Sequence, residues 1–169
     1  MDAKILDLGS GVGNVIRSWK EKGYKCVRGI EISGCAVRAS GEDCIVEGSV
    51  QNMPFEDKEF DLVCSFALME HLAESIEEEC VREMYRVGKI QAHYLCLDKG
   101  QDPSHINMKE SADWMGRFKE LSPEKYVVYC STSPFVADAP LLIAIPAELM
   151  PHQSRAAVLP LAKEETVSG

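Results

Sequence analysis

The stretch Ile5–Asn14, reading I-L-D-L-G-S-G-V-G-N, restricts the fold of this chain more than any other. An apolar run around one acid makes a short buried strand. Gly9, Gly11 and Gly13 then stand at alternate positions in a turn, and an amphipathic segment follows. Glycine tolerates positive φ and carries no Cβ, so a ligand can lie almost on the backbone of such a turn. The turn feeds a helix N-terminus, whose first N–H groups lack intrahelical partners. By itself it predicts a nucleotide-like ligand near the start of a helix.

Downstream, the pattern alternates between strand and helix. Strands are predicted at Lys4–Leu8, Lys25–Glu31, Cys44–Val46, Phe60–Ser65 and Ala92–Leu97. Helices are predicted at Gly13–Lys22, Gly34–Ser40, Leu72–Val87 and Lys109–Leu121, from apolar residues recurring at helical spacing. Val12, Val15, Ile16 and Trp19 share one face of the first helix. In the third, Leu72, Ile76, Cys80 or Val81, and Met84 mark the buried stripe. Glu74, Glu77, Glu78 and Glu79 read as its solvated face, with Glu78–Arg82 a favourable (i, i+4) pair. Tyr126–Cys130 and Leu141–Ile145 read as two further strands that pair antiparallel at a sheet edge. This alternation implies an α/β fold with a mostly parallel sheet. Ligands of such sheets bind beyond the strand carboxyl ends at the switch point. The glycine turn, Glu31, Ser49 and Ser65–His71 all fall at those ends.

Composition narrows the class. The 169 residues suffice for one domain with a real core, and 46% hydrophobic with 27% charged residues suits a soluble protein. The expected organisation is a domain over 1–147, with no N-terminal cap, and a partly disordered tail over 148–169. No apolar run approaches the ~18 residues of a membrane span, and no signal-peptide pattern opens the chain, so a cytoplasmic setting is expected. A net charge of −9 argues against nucleic acid as partner. The seven cysteines lack C-x-x-C spacing and read as reduced structural thiols. Cys26, Cys44, Cys64, Cys96 and Cys130 fall within predicted strands.

Glu31 follows Gly13 at close to the ~20-residue spacing of dinucleotide-binding units, where a strand-end carboxylate accepts from both hydroxyls of a ribose. Four segments then carry a resemblance: L-D-L-G-S-G-V-G (6–13), G-I-E-I-S (29–33), the long G-S-V-Q-N-M-P-F-E-D-K-E-F-D-L-V-C-S-F-A-L-M-E-H-L (48–72), and R-E-M-Y-R-V (82–87). Together they resemble the class I S-adenosylmethionine-dependent methyltransferases, from residue 4 to about 97 and more weakly to 145. The resemblance implies a Rossmann-like, seven-stranded, mostly parallel sheet with an antiparallel C-terminal edge hairpin and helices on both faces. It implies S-adenosylmethionine as cofactor. Asp7, Gly9, Ser10, Gly11 and Gly13 would surround its methionine part and Glu31 would hold the ribose. Ile32 would pack on the adenine, Ser49 and Val50 would lie along its edge, and Ser65 with Phe66 would close the site near the sulfonium. At the Ser49 position the family usually has an acid, and before the fifth strand it usually has a K-P-G-G-like turn that is shortened here to V-G-K-I-Q-A-H.

The implied reaction moves a methyl group to a hydroxyl or amine of a small-molecule or glycan-like acceptor. His105, on the loop after the fifth strand, and His71, just past the fourth, are the candidates for a general base, with Asp102 placed to orient His105. His93 lies within a strand and reads as structural. A carboxylate three residues before Glu70–His71 would complete an E-x-x-E-H ligand pattern, but Ala67 stands there. No metal is therefore expected, and convergence of Glu70, His71 and His105 is the arrangement that would reverse this. Two other readings are a non-catalytic cofactor-binding partner subunit and, remotely, a nicotinamide-dependent oxidoreductase, which would want glycine where Asn14 stands. Without an N-terminal cap, three arrangements stay open: an open site, one completed by a second copy or partner subunit, or one built for a large substrate.

Overall fold

The computed structural model describes residues 1–96, 102–123, 126–132 and 140–149. Seven strands form one sheet: β1 (Lys4–Leu8), β2 (Cys26–Glu31), β3 (Ile45–Glu47), β4 (Phe60–Phe66), β5 (Gly88–Tyr94), β6 (Tyr126–Thr132) and β7 (Pro140–Pro146). Their order is β3-β2-β1-β4-β5-β7-β6. Pairing is parallel from β3 through β5, and β7 runs antiparallel to both β5 and β6. This is the expected α/β sheet with its antiparallel edge hairpin. The order reverses between β1 and β4, which pair as Leu8↔Ser65 at their carboxyl ends.

The helices α1 (Asn14–Glu21), α2 (Gly34–Ser40), α3 (Glu74–Val87) and α4 (Ser111–Leu121) cover both faces. Strand side chains alternate, so each face collects its own apolar set. Ile5, Val27, Ile45 and Cys64 pack with Ile16 and Trp19 of α1 on one side. Leu6, Leu8, Ile30 and Val63 pack with Met84 and Val81 of α3 and with Trp114 and Phe118 of α4 on the other. The central strands are buried on both faces, which is why they read as continuous apolar runs rather than alternating ones.

Several boundaries differ from those expected. The turn glycines postpone α1 to Asn14, leaving Val12 in the turn and 44% exposed instead of on the helix's apolar face. A 3-10 turn, Met69–His71, separates β4 from α3, so the helix begins at Glu74 instead of Leu72. Strand β5 starts four residues early, because α3 passes into it with no intervening loop. Gly88 makes this junction possible: a Cβ there would lie 2.3 Å from Val63 Cγ2 and 2.8 Å from the Gln91 amide. Its φ of −119° is ordinary, so the requirement is for space. Cys26 is exposed and Cys96 lies beyond β5; all seven cysteines are free. The expected tail from 150 onward and the connection over 133–139 lie outside the described residues.

Glu77 departs most from expectation. It is 3% exposed, and its carboxylate accepts from Asn107 Nδ2 (2.9 Å) and Arg117 Nε (2.9 Å) and pairs with Lys109. Burial pulls its pKa upward, but the Lys109, Asn107 and Arg117 contacts outweigh that and hold it below the usual value. The residue therefore ties α3 to α4 and to the loop before it.

Candidate functional site

The site grows from the carboxyl end of β1. Gly9, Gly11 and Gly13 adopt φ of +67°, +52° and +84°, left-handed values that side chains with a Cβ resist. The backbone N–H groups of Gly9 and Ser10 both donate to Ile30 O, at 2.9 and 3.1 Å, so the end of β2 holds the turn. Glu31, one residue further on, completes the clasp. Its Oε2 accepts from Gly11 N and its Oε1 from Ser33 N, each at 2.8 Å. The turn and the strand-end acid are thus one hydrogen-bonded unit, although they are distant in sequence.

Space follows from the same geometry. A Cβ on Gly11 would meet nothing within 4 Å, so the open side of the turn faces away from the protein. At Gly29 a Cβ would fall 2.2 Å from Ser10 Oγ, so the turn crosses directly over β2. Ser10 is itself buried, its hydroxyl donating to Asp7 O at 2.9 Å. Asp7 is 1% exposed, and among the described residues its Oδ2 has no hydrogen-bond partner. Burial pushes its pKa up to about 7, with the Glu31 charge adding to the effect. Val12 and the 75%-exposed Ile32 flank the turn with apolar surface.

Most of the other expected site residues are buried or bonded locally. Ser65 is fully buried, and its hydroxyl contacts His93 Nδ1 at 2.8 Å instead of the opening. Gln91 Nε2 donates to Met84 O, which leaves its Oε1 to accept from His93 Nε2 at 3.3 Å. His93 Nδ1 must then be the acceptor for the Ser65 hydroxyl. Burial lowers the His93 pKa to about 3, so the ring is neutral, as suits a structural histidine. Val50 lies in the main core. Ser49 Oγ accepts from Gln51 N at 3.2 Å, closing a local turn. Only Phe66, 44% exposed and stacked on Tyr94 with ring centroids 6.0 Å apart, remains at the rim.

Past β4 the chain turns sharply at Ala67, whose φ of +50° is rare for a residue with a Cβ. The 3-10 turn that follows presents Glu70 and His71. Asn107 N donates to Glu70 O at 3.0 Å, and the Glu77 hub anchors the same loop, so His105 is brought against His71 with ring centroids 4.9 Å apart. Asp102 reaches His105 only at 3.9 Å; its nearer contacts are with the Ser104 N–H and hydroxyl. Sequence reasoning named these two histidines but missed the buried hub that brings them together, since Glu77 and its partners are far apart along the chain. Leu68, just before the 3-10 turn, adjoins the glycine turn: a Cβ on Gly9 would stand 3.0 Å from Leu68 Cδ1.

Comparison with known proteins places the geometry in context. The methyltransferase domain family matches residues 6–96. Norajmaline N-methyltransferase of Rauvolfia serpentina is 32% identical over 120 residues, covering 64% of this chain and 39% of its own length. Ajmaline N-methyltransferase of the same plant is 28% identical over 160 residues, covering 86% and 52%. The chain therefore spans about half, or less, of the curated relatives it matches. Among solved structures, an S-adenosylmethionine-dependent methyltransferase from Archaeoglobus fulgidus shares the fold with a TM-score of 0.68 at 15% identity, over 85% of this chain and 86% of that one.

Proposed function

The chain belongs to the methyltransferase domain family, and on that premise we propose that it binds S-adenosylmethionine at the glycine turn and transfers the methyl group to a small-molecule acceptor. One observation carries this reading: the Gly9–Gly11–Gly13 turn and the Glu31 carboxylate form a single unit at the sheet's switch point. The residues around it fit the cofactor. Gly11 leaves the backbone bare, Ile32 offers an exposed apolar face for a purine, and the buried Asp7 has an oxygen with no partner among the described residues.

When bound, S-adenosylmethionine supplies an activated methyl on sulfonium, so the protein's task is to hold the acceptor in line and dry. Each Glu31 oxygen accepts one backbone N–H and keeps further acceptor capacity for ribose hydroxyls. The positive φ at Gly11 lets the ligand approach the chain without a side chain between them. Phe66, stacked on Tyr94 at the rim, would supply apolar cover for the acceptor. In this reading residues 1–147 form the cofactor-binding domain.

The N-methyltransferase relatives favour an amine acceptor. A neutral amine brings its own lone pair and needs no base beforehand. The test is release of S-adenosylhomocysteine from S-adenosylmethionine with a panel of small amines and phenols. Turnover with at least one amine class is expected. Cofactor binding with no turnover across the panel would replace this reading by that of a cofactor-binding partner subunit.

A further inference from the structure

The strand-end rim holds a second group of residues that the glycine turn does not use. Glu70, His71 and His105 each offer one ligand atom, and these atoms lie within 4.8 Å of one another. Glu70 is 1% exposed, and neither carboxylate oxygen has a hydrogen-bond partner among the described residues. A buried carboxylate with no partner is costly, and a nearby cation relieves the cost. His105 Nδ1 is likewise buried and unpartnered among the described residues.

The geometry points to a site for a divalent transition-metal ion formed by Glu70, His71 and His105. The contacts of each ring decide which nitrogen is left for a metal. His71 Nδ1 lies 3.0 Å from Ser104 O, a group that can only accept, so Nδ1 carries the proton and Nε2 keeps its lone pair. His105 directs Nε2 toward Asp102 Oδ2 and leaves Nδ1 facing inward. Metal-ligating histidines are held in this way, with the second ring nitrogen toward a carbonyl or a carboxylate. Ligand atoms in a tetrahedral zinc site stand about 3.5 Å apart, so small side-chain rotations would close the set.

Two imidazoles and one carboxylate suit zinc, cobalt, nickel or ferrous iron better than magnesium or calcium, which prefer all-oxygen shells. Three protein ligands leave a coordination position open, where a hydroxyl or water would lose its proton more readily. Ala67 leaves the E-x-x-E-H pattern incomplete, and in this proposal His105, from a separate loop, supplies the third ligand. The site depends on neither the cofactor nor the methyl acceptor.

The test uses the full chain without S-adenosylmethionine. Anaerobic titration with Co(II) is followed by visible d–d absorption, and Zn(II) competition by calorimetry. About one ion per chain is expected, weakened at least about tenfold by His71→Ala, by His105→Ala and by Glu70→Gln, and unaffected by Glu21→Gln on the exposed end of α1. Circular dichroism of each variant checks folding. Zn(II) should raise the melting temperature of the parent chain and leave that of His71→Ala unchanged. Failure to bind Co(II), retention of binding in both histidine variants, or a sulfur-to-cobalt charge-transfer band from cysteine ligation would overturn the proposal.

Discussion

Asp7 shows how much of the site is decided by single residues. It stands in a central strand, is almost fully buried, and has a pKa pushed up to about 7 by burial. The folded state therefore keeps its proton over a range in which the unfolded chain, near 3.8, has lost it. Within that range the native state binds more protons, so this group lowers stability as pH rises from about 4 to about 7, by roughly 4 kcal/mol in all. Asp7→Asn should remove that slope and be relatively more stable than the parent at pH 8. Urea unfolding of both proteins across this range checks it; parallel curves would contradict it. Gly29 makes a steric prediction, because its Cβ would collide with Ser10 Oγ. Gly29→Ala should displace the turn and weaken S-adenosylmethionine binding by about tenfold or more while the domain stays folded, as titration calorimetry and circular dichroism would show. At this scale the sequence singled out the three glycines, whose left-handed backbone forms the turn, and Glu31, whose carboxylate bonds to it. The burial of Ser65 and Val50 was not legible, because strand alternation and core packing decide which way a side chain points.

Elements were legible where their signals are local. Ser33 accepts from Ala36 N and Gly41 takes φ +67°, so α2 runs over the expected Gly34–Ser40. The α3–β5 boundary was not legible, since a helix that passes straight into a strand has no turn residues to announce it. Gly88 is the residue that permits it. Gly88→Ala should destabilise the protein by about 1–3 kcal/mol through overpacking against Val63, measured by chemical denaturation. The acidic run on α3 misled for a related reason. Helical periodicity puts Glu77 with its charged neighbours, whereas its partners Asn107 and Arg117 come from 30 to 40 residues away. Glu77→Ala leaves Lys109 and Arg117, both partly exposed, without their shared partner. The expected cost is about 1–3 kcal/mol, with looser attachment of the loop that carries His105. Because the Glu77 pKa is held below its ordinary value, its contribution is present above that value and is lost as pH falls through the folded pKa. Hydrogen exchange of residues 102–109 would reveal the loosening, and unchanged protection would contradict it.

On the scale of the whole molecule, function follows from where the strand order reverses. The β1–β4 reversal leaves a crevice at the strand carboxyl ends. The glycine turn, Glu31, Phe66 and the Glu70–His71–His105 group all gather at that rim. The turn-and-acid unit was readable in sequence because it is built from backbone and one acid at a regular spacing. The meeting of His71 with His105 was not, because it rests on a loop held by long-range contacts. The central claim is that the glycine turn and Glu31 bind S-adenosylmethionine together. Its most direct measurement is calorimetric titration of S-adenosylmethionine and S-adenosylhomocysteine into the parent chain and Glu31→Ala. Both ligands should bind the parent chain at one site, and the substitution, which removes the ribose acceptor and frees Gly11 N, should weaken both by roughly tenfold or more. No binding to the parent chain, or equal affinity in the variant, would contradict it.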